Sequence, residues 1–262
     1  MFFKKRRRRK LMRRAFPPEW SEIIRRNVPY CARLSDEDRG ELHGLIHVFL
    51  DEKRFEGAGG LEITEEIRLT IAAQACVLLL RRSTDIYPKL RSIIVYPRAY
   101  AAESKRRNPD GTVWNGVQVR LGESWSYGAV VLSWDDVLRG ASDIHDGRNV
   151  VLHEFAHQLD QEATGSDGAP PLPERSMYIA WARVLGGEYE ELIRSIESGK
   201  PTIIDGYGAA SPAEFFAVVT EFFFERPRLL RSRYPNLYEQ FRLFYRQDPA
   251  ELAPAPRNAT DR

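Results

Sequence analysis

The stretch His153-Glu154-Phe155-Ala156-His157 constrains this chain more than any other, because it sets two imidazoles and a carboxylate inside an apolar segment running from Asn149 to Leu159. Residues four apart share a helix face, so His153 and His157 can aim at one point. Zinc binds neutral imidazole nitrogen readily, and a catalytic zinc keeps three protein ligands and one open position. Glu154 stands beside the pair, able to take a proton from water held there, which is the arrangement of a metallopeptidase. The flanks agree: Val150, Val151, Leu152, Phe155, Ala156 and Leu159 mark a buried helix. Polar groups in a core are costly unless something compensates them. Two core histidines without a metal is the plain alternative, and it leaves that cost unanswered.

A third ligand must come from elsewhere. Asp160 lies seven residues after His153 and shares the histidine face, better placed to orient an imidazole through its second nitrogen than to reach a metal. Glu214 is the stronger candidate. Ser211 reads as an N-cap and Pro212 as a first helical residue, so Glu214 falls in the first turn of a very apolar helix. Glu221 follows on the same face seven residues later. A first-turn acid favoured by the helix dipole is the bland reading of Glu214. Its neighbours Phe215, Phe216 and Val218 argue against that reading.

With these residues in place, the chain resembles the Mlc titration factor A family of bacterial zinc peptidases. The likeness is carried by His153 to His157, Asp160, the turn Asp205-Gly206-Tyr207 and the segment Ala213 to Glu221. It continues through DEKRFEGAGG (51–60), IAAQAC (71–76), LSWDDVLRG (132–140) and FYRQDP (244–249), and so covers the chain from Pro18 to Pro249. The catalytic half is also similar to the catalytic domain of anthrax lethal factor, a gluzincin. The resemblance implies one zinc held by His153, His157 and Glu214, with Glu154 as general base and the Tyr207 hydroxyl stabilising the tetrahedral intermediate. It further implies aminopeptidase-like hydrolysis of short peptides, and regulation of sugar uptake through binding a transcriptional repressor. Many gluzincins place an Asp four residues after the ligand Glu. Here that position is Val218, so orienting a ligand imidazole falls to Asp160 or Glu221.

A length of 262 residues with 43% hydrophobic side chains suits one sizeable domain. The net charge of +2 hides an asymmetry: the first fourteen residues carry nine Lys or Arg and no acid, which leaves −7 on the rest. Residues 1–16 therefore read as a disordered, solvated arm, with nucleic acid or an acidic membrane surface bound through residues 4–14 as the lesser alternative. The arm is not a secretory signal, because Pro17, Pro18 and Glu19 follow the charges where an apolar h-region should stand. The longest apolar run, Ile71 to Leu80, is interrupted by Gln74 and is too short to span a bilayer. Cys31 and Cys76 suit reduced, buried thiols in a cytoplasmic protein.

The expected fold class is α+β, a mostly helical zincin-like metallopeptidase domain with a small mixed sheet beside the metal-site helix. That domain covers 17–249, with a helical N-terminal part over 17–85 and a catalytic part over 86–249; an Ala/Pro-rich, frayed tail takes 250–262. Helices are predicted over Ser35–Phe55, Thr64–Arg82, Arg175–Leu185, Glu188–Ser198, Pro212–Phe224 and Leu237–Tyr245. Strands are predicted over Leu90–Tyr96, Val117–Leu121 and Gly128–Trp134, and a mobile loop over Glu103–Gly116. Ala129 to Leu132 reads either as a sheet edge along which a peptide substrate could lie or as an ordinary core strand. His43 and His47 form a second pair four apart, but without the peptidase carboxylate they read as a surface or half-buried pair. His145 reads as a residue of a polar turn.

Overall fold

The computed structural model describes residues 2–83, 85–98, 100–107, 113–120, 122–125, 128–163 and 167–252, with residues 2 and 100–125 described as backbone alone. The N-terminal layer consists of α1 (Phe2–Met12), α2 (Pro18–Asn27), a 3-10 turn (Pro29–Arg33), α3 (Asp36–Glu52), β1 (Arg54–Gly57) and α4 (Glu65–Val77). Ser35 and Thr64 cap α3 and α4 by accepting the backbone N–H of Asp38 and Ile67. The helix predicted to reach Phe55 stops at Glu52, because Phe55 belongs to β1.

The basic arm is a helix rather than a disordered segment. Arg7 meets Asp51 at 2.6 Å, Lys4 and Arg8 meet Glu52 at 3.5 and 2.6 Å, and Arg8 also pairs with Asp85. Met12 packs against Gly44, where an added Cβ would lie 3.2 Å from the Met12 Cβ. The acids that end α3 thus neutralise one face of α1, a long-range pairing that the local run of charge does not reveal.

Next come β2 (Ser92–Tyr96), β3 (Tyr100–Arg107), β4 (Val113–Arg120), β5 (Gly122–Trp125) and β6 (Ala129–Ser133). Four of the strands form a mixed sheet in the order β1-β2-β6-β5, with β1, β2 and β6 parallel and β5 antiparallel to β6. Ala129 to Leu132 is therefore a core strand, covered on both sides, and β5 takes the edge. Strands β3 and β4 pair antiparallel from Tyr100↔Arg120 to Arg107↔Val113, so most of the predicted mobile loop is hairpin. A polar ribbon carries little of the apolar alternation by which strands are recognised. Residues 108–112, within that expected loop, lie outside the described residues.

The chain finishes with α5 (Trp134–Ser142), α6 (Val150–Asp160), α7 (Met177–Glu197), a 3-10 turn (Gly206–Ala210), α8 (Pro212–Glu225), α9 (Pro227–Arg233), α10 (Pro235–Tyr245) and a last 3-10 turn (Pro249–Glu251). The two helices predicted on either side of Gly186 and Gly187 are one, α7. Glycine lowers helix propensity without terminating a helix, and Trp181, Leu185 and Leu192 keep a common buried face across it. Behind α8, Trp181 lies 5.9 Å from Phe216, which in turn lies 5.6 Å from Phe241 of α10. One buried apolar cluster runs from Ile24 to Ala250, so the helical N-terminal part and the catalytic part share a core. Cys31 and Cys76 are buried and unpaired, and burial pushes the Cys31 thiol up to about 12. Among the described residues no helix is long and apolar enough to cross a membrane. The tail from residue 253 onward lies outside the described residues.

Candidate metal centre

Helix α6 starts at Asn149, whose side-chain oxygen accepts the N–H of Val151 and Leu152. From that fixed start, His153 and His157 emerge one turn apart, with their Nε2 atoms 3.2 Å from each other. Helix α8 starts at Ser211, whose hydroxyl oxygen accepts the N–H of Glu214 itself. This cap presents the Glu214 carboxylate to the pair: Oε2 lies 3.1 Å from His153 Nε2 and 3.3 Å from His157 Nε2. The three predicted ligands thus converge, and their ligand atoms all lie within 4.8 Å of one another. Glu154, between the two histidines in sequence, is 4% exposed.

The other two carboxylates separate. Glu221 Oε1 lies 2.7 Å from His153 Nδ1, and Glu221 Oε2 accepts the N–H of Asn149. His153 Nδ1 donates to that carboxylate, and the ring's Nε2 faces Glu214 and His157. Asp160 turns away instead: Oδ2 accepts the N–H of Gly168 at 3.0 Å, and burial pushes this carboxyl up to about 6. Val218, four residues after Glu214, is packed in the core.

Electrostatics favour positive charge at the convergence point. Burial by itself would lower the His153 pKa, but Glu214 and Glu221 outweigh it and hold the imidazole well above its ordinary value. Burial likewise opposes ionisation of Glu214, and contacts with His153 and His157 overcome it, keeping the carboxyl down at about 2. Nitrogen and oxygen donors arranged this way suit a borderline divalent metal ion, and the near-equal separations of 3.1, 3.2 and 3.3 Å suit one such ion at their apex.

Tyr207 sits on the 3-10 turn between α7 and α8, its ring 6.0 Å from the His153 ring and 55% exposed. Asp205 accepts the Tyr207 N–H at 2.9 Å and pairs with Arg148 at 2.8 Å, tying the turn to the start of α6. Three contributors escaped the sequence reading: Asn149, Gln74 and Gly168. Asn149 donates to Gln74 Oε1 at 2.9 Å, so α4 braces the residue that holds Glu221. Both carried a signal, since Asn149 is a capping residue type placed just before an apolar helix and Gln74 interrupts an apolar run. His47 is buried, deeper than expected, with Phe16 stacked 3.8 Å from His43 and Trp20 5.2 Å from His47. His145 is exposed.

A family model described as glucose-regulated metallo-peptidase M90 matches residues 2–246. An uncharacterized protein of Synechocystis is 40% identical over 93% of this chain and 89% of the relative. Two proteins called Mlc titration factor A are also similar. The one from Pectobacterium atrosepticum is 34% identical over 88% of this chain and 86% of its own length, and the one from Serratia proteamaculans is 32% identical over 88% and 87%.

Proposed function

The chain belongs to the glucose-regulated metallo-peptidase M90 family, and from that premise we propose that it is a zinc-dependent peptidase acting in the cytoplasm. The observation that carries the choice of zinc is the ligand triangle, whose edges measure 3.1, 3.2 and 3.3 Å. A tetrahedral centre with bonds of about 2.0–2.1 Å separates its ligand atoms by about 3.3 Å. When bound, zinc supplies Lewis-acid chemistry, polarising a carbonyl and acidifying water.

The rest falls to the chain's own residues. His153, His157 and Glu214 hold the ion, and Glu221 fixes the tautomer of His153. Glu154 takes a proton from the attacking water and returns it to the leaving amine. The Tyr207 phenol donates to the carbonyl oxygen as charge develops there. The reading includes aminopeptidase-like action on short peptides. The name of the relatives, Mlc titration factor A, supports a second role in which the chain also binds a transcriptional repressor of sugar uptake.

The test combines metal content with peptide hydrolysis. Wild type is expected to carry one zinc per chain, and His153→Ala or His157→Ala to lose metal and activity together. Glu154→Gln keeps zinc while hydrolysis falls about 10²- to 10⁴-fold. Tyr207→Phe keeps zinc and loses chiefly kcat, by roughly 10- to 1000-fold. Full hydrolysis in Glu154→Gln would remove the general base and with it the mechanism. Repressor binding is separable, because Glu154→Gln retains it if the second role is real.

A further inference from the structure

Helix α1 divides its charge between two faces. Lys4, Arg7 and Arg8 turn inward onto Asp51, Glu52 and Asp85. Leu11, the next position on that face, is half-buried and packs against the core. Arg6, Arg9 and Lys10 share the opposite face at i, i+3, i+4 spacing, Arg13 follows in the turn just past Met12, and all four are exposed. Among the described residues none of these four is paired with a carboxylate. Phe3, one turn before Arg6 on that outward face, is 84% exposed. The inward ion pairs fix the rotation of the helix, so the outward stripe is presented in one orientation rather than waving on a flexible arm.

We propose that this outward face of α1 docks the protein on an anionic lipid surface, independently of the metal centre. Four cationic side chains on a pinned helix and the turn that follows it match the negative potential of a leaflet containing anionic headgroups. An exposed phenyl ring at the end of the stripe gains by entering the headgroup boundary, as the apolar residues of interfacial helices do. A phosphodiester backbone would take the charges but offer that ring little.

Co-sedimentation of the full chain with vesicles tests the idea at about 0.15 M salt. Vesicles of phosphatidylcholine alone are compared with vesicles containing roughly one-third phosphatidylglycerol. Wild type is expected on the anionic vesicles only. Replacing Arg6, Arg9, Lys10 and Arg13 together by Gln should weaken binding about fivefold per charge removed, several hundred-fold in all. The inward pairs stay intact in that variant, so its melting temperature and zinc content serve as folding controls. Phe3→Ser should reduce the binding that survives raised salt. The proposal is overturned by failure of wild type to bind anionic vesicles, by undiminished binding of the quadruple variant, or by an unchanged Phe3→Ser. Preferential partition of wild type onto a duplex oligonucleotide offered together with the vesicles would assign the face to nucleic acid instead.

Discussion

Glu221 and Asp160 each lie seven residues after a proposed ligand, yet only one reaches an imidazole. Glu221 projects from α8 across to His153 Nδ1, whereas Asp160 sits on α6 itself, past His157, and is captured by Gly168 N–H. Glu221→Gln should therefore weaken metal affinity about 10- to 100-fold, because the neutral amide no longer stabilises the donor tautomer as a carboxylate does. Asp160→Asn should stay within a few-fold of wild type in the same chelator competition, and the reverse order would exchange their roles. The motif of two histidines and a glutamate was legible because its spacing is local. Which carboxylate backs it was not, since that depends on which helices face each other. Lys53 was equally hidden: it is buried, with Nζ donating to Tyr87 O at 2.6 Å and Leu90 O at 2.9 Å, and burial pushes its pKa from 10.5 to about 8. Between those two values the folded protein holds fewer protons than the unfolded chain. Stability from this group therefore grows as pH rises through that window and is lost as pH falls through about 8. Urea unfolding of wild type and Lys53→Met at about pH 7.5 and about pH 10 should reveal roughly 2 kcal/mol more pH-dependent stability in wild type. Equal slopes would mean that Lys53 keeps its ordinary pKa.

The centre depends on how α6 and α8 begin and on the segment that separates α6 from α7. Gly168 adopts φ +77°, and a Cβ there would come within 2.4 Å of the carbonyl oxygen of Pro212, the first residue of α8. Its own carbonyl accepts the Trp181 indole N–H at 3.0 Å. Gly168→Ala should destabilise the fold by about 2 kcal/mol or more and also lower metal affinity, because Glu214 stands two residues after Pro212. Gly187→Ala is the matched control: it lies inside α7 with nothing within 4 Å of an added Cβ. It should raise stability by about 0.5–1 kcal/mol. Equal thermal shifts in the two variants would contradict this account. Helix continuity across Gly187 follows from the buried stripe of α7, which no dipeptide reports. The caps at Ser35, Thr64 and Ser211 were readable because capping acts over three residues.

At the scale of the molecule, the N-terminal helices and the catalytic half are one body. Among the described residues strand β1 pairs only with β2, α4 reaches the metal-site helix through Gln74, and one core spans both. The fold class was legible from helical periodicity, whereas the order of the sheet and the docking of α1 rest on pairings between distant segments. Removing residues 1–14 should cost about 1–2 kcal/mol, since exposed ion pairs contribute about 0–1 kcal/mol each and Met12 adds packing. Zinc content should be unaffected, and the loss should shrink at high salt. A truncated chain that melts like wild type in low salt would show that α1 contributes nothing to the body. The brace from Gln74 to Asn149 has a further consequence during synthesis on the ribosome. Gln74 emerges 75 residues ahead of Asn149, and Glu214 emerges 61 residues behind His153. The N-terminal helices are thus already outside the exit tunnel when α6 appears, a surface on which it can settle. The two histidines must wait through the whole of α7 for their carboxylate, which makes capture of the ion a late event in the life of each new chain.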